Sequence, residues 1–178
     1  MNLTQIRLLT MVLIGGLILP SLSLMPRSVA AQTTSVTIEQ AIQIATDYLG
    51  GGVAYKAKLE DKYGSLEYKV NFTNGYRVYV DANSGDVVWT SEKRAKRYAA
   101  EMERLPIRLI PAIQIATNAR NGGVVYEAKL HDPAREWEYK VKFTDGIWVY
   151  VDATTGAVLD SRRGGRGERG DRGDRRRP

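Results

Sequence analysis

The chain has 178 residues, a formal net charge of +6 and no cysteine, which excludes disulfide bonds, thiol catalysis and cysteine-based metal sites. The positive charge is concentrated at the two ends, in Arg7 and Arg27 and in eight arginines after position 161. The middle of the chain is close to neutral, so a basic fold that binds nucleic acid is not expected.

Residues 1–31 have the three-part pattern of a secretory signal peptide. Arg7 supplies positive charge, residues 8–19 form an apolar run, and residues 28–31 are small enough for cleavage after Ala31. The alternative is an uncleaved anchor, but the apolar run is shorter than the roughly 20 residues that a membrane-spanning helix needs. We therefore expect an exported protein, periplasmic or extracellular, that is not an integral membrane protein after cleavage.

Residues 36–90 predict one helix followed by an antiparallel meander. Thr37 and Gln40 form a capping-box pattern, which predicts that a helix begins there, and the three glycines 50–52 end it. The hydrophobic period then changes from about 3.6 to about 2, which is typical of half-buried strands. The predicted strands are 53–60, 66–72, 76–80 and 87–89.

The turns of this meander carry different signatures. Asn74-Gly75 is typical of a two-residue hairpin turn in which both residues have positive φ. Residues 61–65 predict a longer turn, and residues 81–85 predict another, with glycine in its last position.

Residues 91–106 predict an amphipathic helix that connects the first unit to a second one. Ala95, Tyr98 and Met102 follow helical spacing, and charged residues occupy the other side. We expect this connector to lie on one unit or between the two.

Residues 107–161 repeat the first unit. At a constant offset of 71 positions, 28 of 50 residues are identical between residues 41–90 and 112–161. Pro111 suits the first turn of the second helix. The predicted fold class is therefore α+β, with two tandem units that each pack one helix on a three- to four-stranded antiparallel meander. Units of about 55 residues are near the lower limit for a core of their own, so we expect shared burial.

Residues 162–178 contain only glycine, arginine, acidic residues and proline, and nothing in them can be buried in a core. This composition predicts a disordered tail. Its surplus of positive charge would attract anionic lipid headgroups, envelope polymers or an acidic protein. The alternative is a solvated tail that has no partner. The arginines of this basic tail are Arg162, Arg163, Arg166, Arg169, Arg172, Arg175, Arg176 and Arg177.

Short motifs of the two copies resemble the PepSY domain family. In the first copy they are residues 37–41 (Thr-Ile-Glu-Gln-Ala), 68–70 (Tyr-Lys-Val) and 78–85 (Val-Tyr-Val-Asp-Ala, ending in Gly). The second copy matches at 139–141 and 149–156, although its helix start departs from the pattern. The resemblance implies an export-associated, non-catalytic module, because such domains occur in propeptides of secreted metallopeptidases and as stand-alone envelope proteins. It also implies a role in restraining peptidases, with no cofactor and no catalytic residues.

The polar face of the meander carries the candidate contact surface. Arg77 and Tyr79 in the first copy correspond to Trp148 and Tyr150 in the second, and all four are predicted to point away from the helix. Exposed aromatic side chains often anchor protein interfaces. The alternative is that they are buried against the other copy or the connector.

Reactive chemistry has little support in the sequence. The single histidine, His131, is predicted to lie in an exposed turn, without the two partners that a catalytic base needs. The Asp81-x-Asn83-x-Gly85 spacing is faintly similar to a calcium loop, but turn formation explains these residues better. We expect no metal, no cofactor and no enzyme.

Two functions follow from these observations. The first is an exported module that binds another protein, in particular a secreted or periplasmic peptidase, and restrains it. The alternative is an envelope-associated scaffold whose basic tail binds anionic surface polymers or lipids. No nucleic-acid partner is expected in either case.

Overall fold

The computed structural model of the protein describes residues 34–132 and 136–164. The first copy forms a helix and four strands in the predicted order, and its last strand is longer than expected. The elements of this copy are α1 (Ile38–Tyr48), β1 (Ala54–Lys62), β2 (Ser65–Phe72), β3 (Tyr76–Asp81) and β4 (Val87–Glu92).

The second copy repeats this order after a short connecting helix. Its last strand is also extended, because it pairs along the whole length of the strand before it. The remaining elements are α2 (Ala99–Met102), α3 (Leu109–Ala119), β5 (Val125–His131), β6 (Glu138–Phe143), β7 (Ile147–Asp152) and β8 (Val158–Arg163).

All eight strands belong to one antiparallel sheet, in the order β4-β3-β2-β1-β5-β6-β7-β8. The α+β class is thus confirmed, but the two meanders are not separate sheets. The first strand of each copy pairs with the first strand of the other, and Ala57 faces Ala128. This pairing satisfies backbone groups that would otherwise be unpaired at two inner edges. We call the paired strands β1 and β5 the seam.

The seam relates the two copies by an approximate twofold axis. Ala57 and Ala128 occupy equivalent positions in the repeat, and they face each other in an antiparallel pair. Both α1 and α3 contact the seam strands from the same side of the sheet, and both alanines are fully buried there. The buried side chains under the two helices form one continuous core. The expected sharing of burial between the copies therefore occurs through a common sheet.

The two helices begin differently. Thr37 caps α1 as predicted, since its hydroxyl accepts a hydrogen bond from the Gln40 N–H and the Gln40 side chain accepts one from the Thr37 N–H. The residue before α3 is Arg108, which makes no side-chain cap, and Pro111 lies in the first turn. The absence of an N–H group in proline is tolerated there, because the N–H groups of the first turn have no carbonyl partner within the helix.

A buried tyrosine fixes the segment before each helix. The Tyr68 hydroxyl donates to the Val36 carbonyl at 3.0 Å, and the equivalent Tyr139 hydroxyl donates to the Ile107 carbonyl at 2.9 Å. Burial raises the pKa of Tyr139 to about 12, so the hydroxyl keeps its proton and remains a donor. The tyrosine of the family-like Tyr-Lys-Val motif therefore holds the helix start on the sheet.

The Tyr139→Phe variant should lose about 1–2 kcal/mol of the free energy of unfolding, because the Ile107 carbonyl would be left without its donor. Urea unfolding measures this change. Tyr48→Phe is the matched control, since Tyr48 is exposed and the same atom is removed. An equal loss in both variants would contradict the assigned role.

The connector differs from the predicted helix. Only Ala99–Met102 is helical, and the segment before it continues along the end of the sheet. The Lys93 N–H donates to the Gly75 carbonyl at 3.0 Å, and the Lys96 N–H donates to the Thr73 carbonyl at 2.9 Å. These bonds to the β2–β3 loop replace the helical ones, so the apolar spacing from Ala95 onward does not produce a long helix.

The prediction of a disordered tail is wrong for its first two residues. Arg162 and Arg163 lie in β8, because the strand continues beyond the repeat and pairs with β7. The other tail arginines and the predicted signal peptide lie outside the residues that the structure describes. Within the described ranges, no helix is long and apolar enough to span a membrane.

Candidate functional site: the open face of the sheet

The sheet face opposite α1 and α3, here called the open face, carries charged and aromatic side chains. Alternation along the strands places them there, because neighbours of the buried Ala57 and Ala128 point to the other side. At the seam, Lys56 faces Lys129 and Lys58 faces Glu127. The centre of the open face is therefore a group of lysines around one carboxylate.

Glu127 is the centre of this group. Its carboxylate accepts from Lys56 at 3.1 Å and from Lys142 at 3.0 Å, and the side chain is only 10% exposed. Burial alone would raise the pKa of Glu127, but the hydrogen bonds and charges of Lys142 and Lys56 outweigh it and hold the pKa below its ordinary value. Glu127 is therefore ionised and doubly paired.

The ion pair depends on a difference between the copies. Lys56 and Glu127 occupy equivalent positions of the repeat and lie on either side of the approximate twofold axis. Identical residues there would bring like charges together, whereas lysine and glutamate attract. Alignment of the two copies shows that Lys56 corresponds to Glu127, but it does not indicate that the two side chains are in contact.

A pocket of about 240 Å³ opens beside Glu127. We call it the seam pocket. It is lined by Lys56, Glu127, Lys129, His131, Lys140 and Lys142.

An aromatic pair lies on the open face of the first copy, on β3 and β4. The rings of Tyr79 and Trp89 lie 5.0 Å apart, and the Lys62 ammonium is 5.3 Å from the centre of each ring. Tyr79 is 8% exposed and Arg77 is half-buried, whereas Trp89 is 53% exposed. Side chains of neighbouring strands in the same copy cover Tyr79, in place of the other copy or the connector.

The second copy has a different arrangement at the equivalent place. Trp148 is half-buried under the Lys140 ammonium, 3.9 Å from the ring centre. Tyr150 is buried, and its hydroxyl accepts a hydrogen bond from Arg162 at 2.9 Å. Arg162 also lies 4.8 Å from the Tyr150 ring centre. Arg162 is therefore part of the folded open face. That Arg77, Tyr79, Trp148 and Tyr150 form a contact surface stays a prediction.

The residues considered for reactive chemistry, His131 and Asp81, belong to different copies of the unit. His131 is exposed at the end of β5. The Asp81 carboxylate accepts from the N–H groups of Asn83 and Ser84, both at 2.8 Å, which lowers its pKa and stabilises the turn. Within the described ranges, no group of three or more histidine or acidic side chains could hold a metal ion.

The fold and the open face define a class: an α+β protein made of two copies of one helix-plus-meander unit on a common sheet. The family model described as peptidase propeptide and YPEB domain, PepSY, matches residues 35–88 and 112–162, which together make up more than half of the chain. The chain belongs to the PepSY family and contains two such domains, as the resemblance predicted.

Two solved structures are similar to this chain. One is a Clostridium difficile 630 protein with a provisional lipoprotein description, with 24% identity and a TM-score of 0.46, covering 75% of this chain and 96% of that one. The other is a Bacteroides vulgatus ATCC 8482 protein of the DUF2874 family, provisionally described as periplasmic, with 22% identity and a TM-score of 0.25, covering 72% and 94%. No functional conclusion rests on either protein. No curated protein matches the chain.

Proposed function

We propose that the protein is an exported, non-catalytic module that binds another protein and restrains it, and that this partner is a secreted or periplasmic peptidase. The observation that carries the proposal is the match of both copies to a family described by its peptidase propeptides. Export is supported by the signal-like residues 1–31.

Strand addition at a sheet edge is the physical means that the architecture favours. The sheet ends in β4 on one side and β8 on the other. All six residues of β8 are exposed, whereas half of β4 is partly buried. An extended segment of the partner can form main-chain hydrogen bonds with such an edge. The bound protein would then block the access of substrates to the catalytic cleft of the partner. The free edge of β8 is therefore the proposed contact.

Inhibition assays test this proposal. The purified protein is mixed with peptidases from the same compartment, and we expect saturable loss of activity with an isolable complex. Leu159→Lys should weaken inhibition about tenfold, because a charge on an edge strand opposes added strands. Val88→Lys is the matched control, since Val88 is the equivalent residue on β4 and is equally exposed at 53%.

The outcomes distinguish the function from the edge. No inhibition of any peptidase and no complex would overturn the proposed function. Inhibition that is unaffected by Leu159→Lys, or equally affected by Val88→Lys, would overturn only the assignment to β8.

The alternative is an envelope-associated scaffold. It is favoured by residues 165–178, which carry six arginines against three acidic residues. Deletion of this segment should abolish a salt-sensitive association with the envelope if the scaffold is the function, and should leave peptidase inhibition unchanged if it is not.

A further inference from the structure

The seam pocket holds more positive than negative charge. Four lysines and one carboxylate, that of Glu127, line it. Its volume of about 240 Å³ is several times the roughly 30 Å³ that a water molecule occupies in the liquid. The pocket therefore has both the charge and the room to accept a carboxylate group.

Lys129 is a lysine of the pocket that does not bind Glu127. Its ammonium makes no hydrogen bond or ion pair with residues 34–132 or 136–164. Partial burial lowers the pKa of Lys129, and the positive charge of Lys56 lowers it further, because Glu127 balances them only in part. A bound anion would relieve this repulsion.

Within residues 34–132 and 136–164, Glu127 is the only acidic side chain that lines the pocket. Residues 1–33 contain no acidic residue, and residues 165–178 carry a net positive charge, so both would be repelled by the pocket. A second copy that presented the same face would bring lysines against lysines. Charge complementarity therefore favours a separate, acidic partner.

The surroundings of the pocket favour a protein as that partner. Aromatic side chains, which are enriched at protein interfaces, lie on the same face. Trp148 lies beside the pocket lysines Lys140 and Lys142, and an aromatic pair lies farther out, on β3 and β4. Lys140 lies against the Trp148 ring, which restricts its ammonium to the sheet surface. Lysines that bind a membrane act as mobile charges near its surface, whereas Lys56 and Lys142 are partly buried and paired with Glu127.

We propose that the seam pocket binds the carboxylates of an acidic segment of a partner protein, with Lys129 as the main new contact. The inference rests on the proposed function and deepens it, because it names the chemistry by which the partner is recognised. The same surface would remain available when a partner strand lies along β8, which is at the far edge of the sheet.

Nuclear magnetic resonance of the isotope-labelled full chain tests this site. The probe is a blocked tetraglutamate peptide, and blocked tetraglutamine is the neutral control. We expect tetraglutamate alone to shift the amide resonances of Lys56, Glu127 and Lys129. Lys129→Gln should weaken this binding about tenfold, as loss of a charge-assisted hydrogen bond does. Lys93→Gln removes the same charge from an exposed site in the connector and should leave the binding unchanged.

Several results would overturn the inference. They are unshifted pocket amides, equal weakening by Lys93→Gln, and binding of phosphatidylglycerol vesicles at the pocket in place of tetraglutamate. Thermal unfolding of Lys129→Gln should occur at a temperature no lower than that of the wild type, since the side chain is exposed and unpaired within the described residues. This measurement separates lost binding from lost folding.

The inhibition assay separates this inference from the proposed function. A protein that inhibits a peptidase without binding tetraglutamate would overturn the acidic-segment inference alone. A protein that binds tetraglutamate at the pocket but inhibits no peptidase would overturn the peptidase proposal alone. Weakening of both activities by about tenfold in Lys129→Gln, with normal folding, is the result expected if both are correct.

Discussion

The Glu127→Lys variant is expected to lose about 3–5 kcal/mol of the free energy of unfolding. Glu127 is 10% exposed and neutralises Lys56 and Lys142 at about 3 Å. Its replacement by lysine would leave these two ammonium groups unpaired and would add a third at the seam. Urea unfolding followed by circular dichroism measures the loss, with an unchanged m-value as evidence that the unfolded state is unaffected.

An exchange of the two charges provides the control. In Lys56→Glu combined with Glu127→Lys, opposite charges again lie across the approximate twofold axis, and the carboxylate introduced at position 56 would also face Lys129. We expect this double variant to be more stable than Glu127→Lys alone by at least about 1 kcal/mol. If the double variant is as unstable as the single one, the ion pair does not stabilise the pairing of β1 with β5.

Acidification provides a second measurement on the same group. The folded-state pKa of Glu127 lies below the ordinary value of 4.5. Its contribution to stability is therefore complete above that value and is lost as the pH falls through the lower, folded-state pKa. Glu127→Gln should lose stability at neutral pH and should show a shallower decline than the wild type below pH 4.5.

The Gly75→Ala variant is expected to lose about 3 kcal/mol, whereas Gly146→Ala at the equivalent position should lose only about 1 kcal/mol. Both glycines have positive φ, at +100° and +84°, which costs alanine about 1–2 kcal/mol in either place. A methyl group on Gly75 would lie 1.9 Å from the Lys93 carbonyl oxygen, so the connector must move. A methyl group on Gly146 would meet no atom within 4 Å.

Urea unfolding of both variants measures this difference, and the amide signal of Lys93 reports whether the connector has moved. The hydrogen bond from the Lys93 N–H to the Gly75 carbonyl should be lost only in Gly75→Ala. Equal losses of stability would show that positive φ alone accounts for both effects.

The hairpin turns illustrate what local sequence can and cannot predict. Asn74-Gly75 predicts a two-residue turn with both φ angles positive, but only Gly75 has positive φ and the loop has three residues. Tyr63-Gly64, within the predicted longer turn, forms the two-residue turn instead, with φ of 57° and 86°. Strand pairing decides where a turn begins, because each added ladder pair shortens the loop.

The candidate site was only partly predictable for the same reason. Sequence alternation predicts that Arg77, Tyr79, Trp148 and Tyr150 lie on the polar side of the strands. It could not predict that Trp89, Lys140 and Arg162 would cover them, because these contacts join residues of different strands.

The sequence by itself determined the duplication, the helix-plus-meander order of each copy, the capped start of α1 and the family, because these depend on local spacing that can be read along the chain. Only the tertiary structure decided that β1 pairs with β5, that Glu127 and Lys56 meet across the axis, and that the connector is mostly not helical. These features join residues far apart in sequence, and their energies come from edge pairing and shared burial, which local patterns do not encode.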